Sequence, residues 1–177
     1  CIRSVVARDF PHARNIVVVC GQGNNGGDGF CIARMLSDTF HVEVLWSGST
    51  ETLAPSAMHN LHRLPSNVLC QTLPISQDIQ ADLIIDAVLG VGVTLPLRDP
   101  ALGLTQAMCA WERPIISIDV PSGIDATTGI CAEQSVYAHA TVTMQAIKTG
   151  LLCNDGPAHA GEIHVTDFGI PSELMQS

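Results

Sequence analysis

Three short segments gather the residue types that chemistry needs. Gly21-Gln-Gly-Asn-Asn-Gly-Gly-Asp28-Gly29 combines glycines with two amides and a carboxylate, while Asp86-Ala-Val-Leu-Gly-Val-Gly92 and Asp119-Val-Pro-Ser-Gly-Ile-Asp125 each follow a run of aliphatic residues. Gly21, Gly23 and Gly26 satisfy G-x-G-x-x-G, the pattern in which glycines let backbone N–H groups approach a phosphate at a helix N-terminus. Alone the match is weak. A standard dinucleotide fold wants an acid about 20 residues further on, at the end of the second strand, to hold the ribose. Here Glu43 falls mid-strand and the strand ends at Trp46-Ser47. A phosphate-binding P-loop fails as well, because Gly27 and Asp28 stand where Lys and Ser/Thr are needed. The plainer alternative is a tight strand-to-helix turn, with Asn24 or Asn25 capping the helix.

A carboxylate beside an apolar core is costly unless it has a cation or hydrogen-bond donors. With the Asn25 amide and the Ser122 hydroxyl, Asp86 and Asp119 make an all-oxygen set suited to a hard cation; the alternative is that each acid caps its own turn. Ser122 lies in P-S-G-I-D, which is not a nucleophile elbow, so serine hydrolysis is disfavoured. His59 and His62 share a helix face without a third ligand, which reads as surface or half-buried histidine. Trp46 and Trp111 read as packing residues.

These loops need elements to hold them. Asn15–Cys20, His41–Trp46, Asp82–Val88, Pro114–Val120 and Ala140–Met144 are short apolar runs rich in β-branched residues, the pattern of strands buried on both faces. Glu162–Phe168 is a further late strand, and Ile170-Pro171 marks a domain edge. Gly29–Leu36, Thr52–Leu64 and Ala101–Trp111 show helical spacing. The alternation predicts an α/β fold: a three-layer αβα Rossmann-like sandwich around a mostly parallel sheet. In such sheets ligands bind outside the carboxyl ends of the strands, so the three loops should converge on one rim.

Composition narrows the possibilities further. The 177 residues suit a single domain. Hydrophobic residues make up 46% and charged ones 14%, which excludes disorder as the main state. The formal charge is −9, Lys148 is the single lysine and the arginines are scattered, so nucleic acid is not an expected partner. The 7 cysteines are odd in number and form no C-x-x-C pair, which suggests reduced, buried thiols. No apolar run approaches the roughly 18 residues of a membrane span, and no signal peptide is evident, so a soluble, cytoplasmic protein is expected. Cys1 in place of Met points to a start inside something longer, or to processing.

In combination, Val17–Leu36 (VVVCGQGNNGGDGFCIARML), Asp82–Val93, Pro114–Gly129 (PIISIDVPSGIDATTG) and the ending from Lys148 to Pro171 resemble the YjeF N-terminal domain family, the NAD(P)H-hydrate epimerases. The likeness runs along nearly the whole chain, in order. It implies a Rossmann-like domain that interconverts the R and S forms of hydrated NADH and NADPH (NADHX and NADPHX). A dehydratase specific for the S form then restores the cofactor. In bacteria the two are often fused, epimerase first, and the chain looks like an excised or stand-alone epimerase domain of residues 1–177. The family usually has further helices before the first strand, of which Cys1–Phe10 looks like a remnant.

By motif, the resemblance makes Asn24, Asn25, Gly26, Gly27 and Asp28 substrate contacts. Gly90, Val91, Gly92, Val93, Thr94, Leu95 and Pro96 become a second contacting stretch, and Asp119 a substrate-binding acid. It makes Asn25, Asp86 and Ser122 ligands of potassium, and the protein a homodimer. Epimerisation at C6 needs a positioned proton donor and acceptor, and Asp119 is the first choice for that role. The cation would hold loops and phosphate, because potassium polarises bound water weakly. The competing readings are a non-catalytic scaffold of the same family, for dimerisation or RNA association, and an ordinary nicotinamide oxidoreductase. The intact Asn24–Gly29 and Asp119–Asp125 motifs and the negative charge speak against the first. The missing acid after the second strand speaks against the other.

Overall fold

The computed structural model describes residues 2–72 and 79–167. Cys1, the Phe168 end of the last expected strand and the Ile170-Pro171 edge lie outside the described residues. Strands β1 (Asn15–Cys20), β2 (His41–Trp46), β3 (Leu69–Thr72), β4 (Leu83–Ala87), β5 (Ile115–Ile118), β6 (Ala140–Met144) and β7 (Glu162–Thr166) form a 7-stranded sheet in the order β3-β2-β1-β4-β5-β6-β7. Every adjacent pair is parallel.

The aliphatic runs explain why the sheet is central. Side chains alternate across a strand, so Ile16, Val18 and Cys20 of β1 face one layer while Val17 and Val19 face the other. The first layer holds α1 (Ile2–Asp9), α2 (Asn24–Leu36) and α3 (Pro55–Leu61), which contribute Val6, Phe30, Leu36 and Ala57. The opposite layer is α4 (Ala101–Ala110), with Leu104, Met108 and the following Trp111. Helix α5 (Gly156–Ala160) belongs to a smaller cluster beyond β5, around Ile124 and Leu151. The expected αβα sandwich is present, and both tryptophans pack in the core.

Several boundaries differ from expectation. Helix α2 begins at Asn24, not Gly29, because its glycine-rich first turns lie against other backbone where side chains would not fit. Its N-cap is Gly23, with no side-chain cap hydrogen bond, so neither Asn24 nor Asn25 caps it. Strand β3 was not legible, since all of its residues are exposed at the sheet edge and no apolar run marks it. Cys20 is buried, but Cys70 and Cys109 are exposed, so the thiols are not uniformly buried. His59 and His62 are exposed.

The N-terminal helix is tied to β7 by an ion network. The Arg8 guanidinium contacts Asp9, donates to Glu162 Oε2 at 2.9 Å and lies 3.1 Å from His164 Nε2. Asp9, Glu162 and His164 are close enough to hold a metal. Arg8 already supplies the positive charge there and lowers the Asp9 carboxyl below its usual range. No helix among the described residues is long and apolar enough to cross a membrane.

Phe30 tests the first layer. It is 0% exposed and meets Trp46 edge-on, with ring centroids 6.2 Å apart. Phe30→Ala is expected to lower unfolding free energy by about 3–5 kcal/mol, measured by urea denaturation; a loss below about 1 kcal/mol would contradict this packing.

Candidate active site

The strand order places the site. From β1 the chain moves outward to β2 and β3; it then returns to β4 on the other side of β1 and continues outward to β7. The loops after β1 and β4 therefore diverge, and a crevice opens between them at this switch point. A cavity of about 590 Å³ occupies it, walled by Gly21–Asn25, Asp28, Val88–Gly92, Asp119 and, on its apolar side, Pro100, Ala101, Leu104 and Met144.

Close backbone approach explains two of the glycines. A Cβ on Gly21 would collide with the Val88 carbonyl, and one on Gly26 with the Gly21 carbonyl. Gly21 N donates to Ala87 O at 3.0 Å, joining the ends of β1 and β4. Gly23 instead opens onto the cavity, and α2 starts there without a side-chain cap. Its first-turn N–H groups and positive dipole end are free to meet an anion.

Asp86 lies in β4, on the α4 side of the sheet, beside Ser117 of β5 in register. It is 0% exposed and accepts four hydrogen bonds. Val88 N donates to Oδ1 at 3.2 Å and Ser122 Oγ to Oδ1 at 2.6 Å. Ser117 Oγ and Ser122 N each donate to Oδ2 at 2.8 Å. Burial raises its pKa while these donors oppose the shift. Ser122 Oγ also accepts from Leu89 N at 2.9 Å, and Asn25 Nδ2 donates to Leu89 O at 2.8 Å and Ile118 O at 3.2 Å. One network thus joins the start of α2 to the ends of β4 and β5.

This network holds the oxygens of the expected potassium site. Asn25 is 8% exposed, yet its Oδ1 is buried without a hydrogen-bond partner, which is the state of an oxygen kept for a ligand. Ser122 Oγ retains one lone pair beyond its two bonds. Asp86 has both oxygens doubly engaged and would have to release a donor to coordinate. The donor set fits a hard cation at Asn25 and Ser122, with Asp86 as the buried charge behind them.

Asp119 follows β5 at φ +69°, a left-handed conformation that costs a non-glycine residue on the order of 1–3 kcal/mol. Val120 N donates to Ile118 O at 2.9 Å, so Asp119 is the centre of a γ-turn that swings its carboxylate out of strand alignment and into the cavity. Oδ1 pairs with Lys148 Nζ at 2.5 Å. Oδ2 faces Gly90, where a Cβ would come within 3.1 Å of it. Asp28 shares the wall, and its pKa is raised by burial and then by the charge of Asp119.

Not every expected residue reaches the cavity. Gly26 and Gly27 pack, the latter against Ala57 of α3. Of the second stretch, Gly90, Val91 and Gly92 line the wall, whereas Val93, Thr94, Leu95 and Pro96 do not. A turn closed by Val93 N to Gly90 O at 3.3 Å carries them toward α4, and Pro96 faces a separate hollow. Asp125 does not line this cavity; its Oδ1 accepts from Thr127 N, Thr128 N and Thr128 Oγ1 in its own turn, which lowers its pKa. The apolar wall of Leu104 and Met144 had no motif to announce it.

A parallel Rossmann-like sheet with a glycine-lined cavity at its switch point defines an α/β domain built to take a small ligand on the sheet rim. The chain belongs to the family of the YjeF-related protein N-terminus, which it matches over residues 1–150. It is 36% identical over 173 residues to the NAD(P)H-hydrate epimerase of Limosilactobacillus fermentum, covering 94% of this chain and 80% of that protein. It is 39% identical over 177 residues to the bifunctional NAD(P)H-hydrate repair enzyme Nnr of Pyrobaculum aerophilum, covering 95% of this chain and 35% of the longer protein. Among solved structures, yeast ynu0, YNL200c, superposes with a TM-score of 0.73 at 25% identity, covering 96% of this chain and 76% of that one.

Asp86→Leu would strand donors from Ser117, Ser122 and Val88. It is expected to destabilise the fold by more than about 3 kcal/mol, each stranded donor costing about 1–3 kcal/mol. Asp86→Asn should also destabilise, because in either orientation its amide NH2 faces a backbone N–H of Val88 or Ser122; a loss below about 1 kcal/mol for Asp86→Leu in urea denaturation would show that the carboxylate does not organise this network.

Proposed function

We propose that the chain is an NAD(P)H-hydrate epimerase, interconverting the R and S forms of hydrated NADH and NADPH at C6 of the hydrated ring. The observation that carries this reading is that a chain of this family has a strained, cavity-facing carboxylate, Asp119, on the same wall as an uncapped helix start. The first suits proton transfer and the second suits the phosphates.

Inversion at C6 requires the C6–O bond to break and re-form on the other face. The hydroxyl takes a proton and leaves as water while the ring nitrogen lone pair stabilises C6; water then adds to the opposite face and gives up a proton. Asp119 is the acid–base group for these transfers. Asn24, Asn25, Asp28 and Gly90–Gly92 contact the substrate, and Gly26 and Gly27 act by packing. Burial, and then the charge of Asp119, raise the pKa of Asp28 and so weaken its hold on a negative charge beside the phosphates. A potassium ion held by Asn25 and Ser122, with the Asp86 charge behind them, would supply fixed positive charge for the phosphates. The Leu104 and Met144 side excludes water from the ring.

The protein acts in nicotinamide cofactor repair, in the cytoplasm, as a homodimer. Its product passes to an S-specific dehydratase, separate or fused. In a coupled assay, an S-specific dehydratase given mixed R and S hydrates leaves the R fraction, and adding this protein with potassium is expected to abolish it. Asp119→Asn should lower kcat/KM by at least about 100-fold, and replacing potassium by tetramethylammonium should raise KM. An R fraction that persists with folded protein and potassium sinks the proposal.

A further inference from the structure

Lys148 is the single lysine of the chain and stands outside the main cavity wall. It lines a neighbouring hollow of about 400 Å³ that shares Val91 and Met144 with the main cavity, and its side chain reaches Asp119. Its Nζ lies 2.5 Å from Asp119 Oδ1 and donates to Met144 O at 2.7 Å, with the two side chains 18% and 8% exposed. The backbone that carries it repeats the device seen at Asp119: Gln145, just after β6, has φ +64°, and Ala146 N donates to Met144 O at 2.7 Å. Adjacent strands β5 and β6 thus end in matching left-handed turns, and Lys148 connects the two exits.

We propose, on the epimerase reading above, that Lys148 is the positioning residue of the reaction, fixing Oδ1 of Asp119 so that Oδ2 alone is presented beside Gly90 to the substrate. A carboxylate tethered at one oxygen has lost the side-chain rotation that would otherwise spread its reactive oxygen over many positions, and placement to well within an ångström governs proton-transfer rates. Lys148 need not touch the substrate for this. An ammonium suits the task because it carries the charge that pairs with Asp119 while it donates to Met144 O.

The test uses Lys148→Met, Lys148→Arg and Lys148→Ala in the coupled assay, with thermal unfolding of each as the check on folding. Lys148→Met is expected to lose about 30-fold or more in kcat, with KM within about threefold of wild type, because the contact acts through Asp119. Lys148→Arg should keep kcat within about fivefold of wild type, and ethylammonium should restore part of the kcat of Lys148→Ala without affecting Asp119→Asn. The double variant Asp119→Asn/Lys148→Met should be no slower than Asp119→Asn alone. A folded Lys148→Met with kcat within about twofold of wild type, or additive losses in the double variant, overturns the proposal. If Lys148→Met does not fold, the Lys148→Arg and amine-rescue arms decide in the same way. An inactive wild type overturns the epimerase reading and this role with it, whereas an active wild type with an indifferent Lys148→Met overturns the lysine's role alone.

Discussion

A carboxylate with no access to water must take all its stabilisation from protein donors, and Asp86 takes it from residues that define the site. Four donors from the loop after β4, from β5 and from the loop after β5 converge on its two oxygens. Two of them come from Ser122, whose hydroxyl in turn accepts from Leu89 N. Leu89 O accepts from Asn25. The loops after β4 and β5 and the start of α2 are therefore joined through one buried charge. Buried polar networks are costly when broken and specific when complete. This one leaves a single buried acceptor open, Asn25 Oδ1.

Around that anchor the sheet does two separate jobs. Its order creates the crevice, because chain paths diverge on either side of β1 and β4 and nothing needs to fill the gap at their carboxyl ends. The exits of β5 and β6 then furnish the crevice. Left-handed residues at Asp119 and Gln145 break strand alternation, so that a carboxylate which would lie along the sheet instead points into the cavity. The strain is tolerable because the residues before both turns are held in parallel ladders. The cavity ends up with three qualities side by side: a helix start with free N–H groups, two carboxyls with different surroundings, and an apolar wall from α4 and Met144.

Much of this was legible in residue order. Alternating aliphatic runs announced five of the strands and the layered architecture. G-x-G-x-x-G, D-x-x-x-G and D-x-P-S-G marked the strand ends that meet at the rim. What escaped was of two kinds. Strand β3 and the early start of α2 violate local rules: exposed residues form a strand because a neighbour offers its edge, and glycines begin a helix because backbone from elsewhere occupies the space of their side chains. Asp125 and Val93–Pro96 share a motif with residues of the cavity wall, but a local turn in each case keeps them off that wall.

The sequence by itself determined the parallel sandwich, the rim on which ligand-binding loops gather, and the family, because hydrophobic period and motif spacing are local properties of the chain. Only the tertiary structure decided how each acid is held. Asp86 and Asp119 look alike in sequence, each closing an aliphatic run before a glycine-bearing loop. One is enclosed by donors on the α4 side of the sheet, and the other is turned outward at a strained residue and met by a lysine 29 positions later in the chain. Burial and charge pairing arise from contacts between distant segments, so the state and orientation of a carboxylate are properties of the fold and not of its motif.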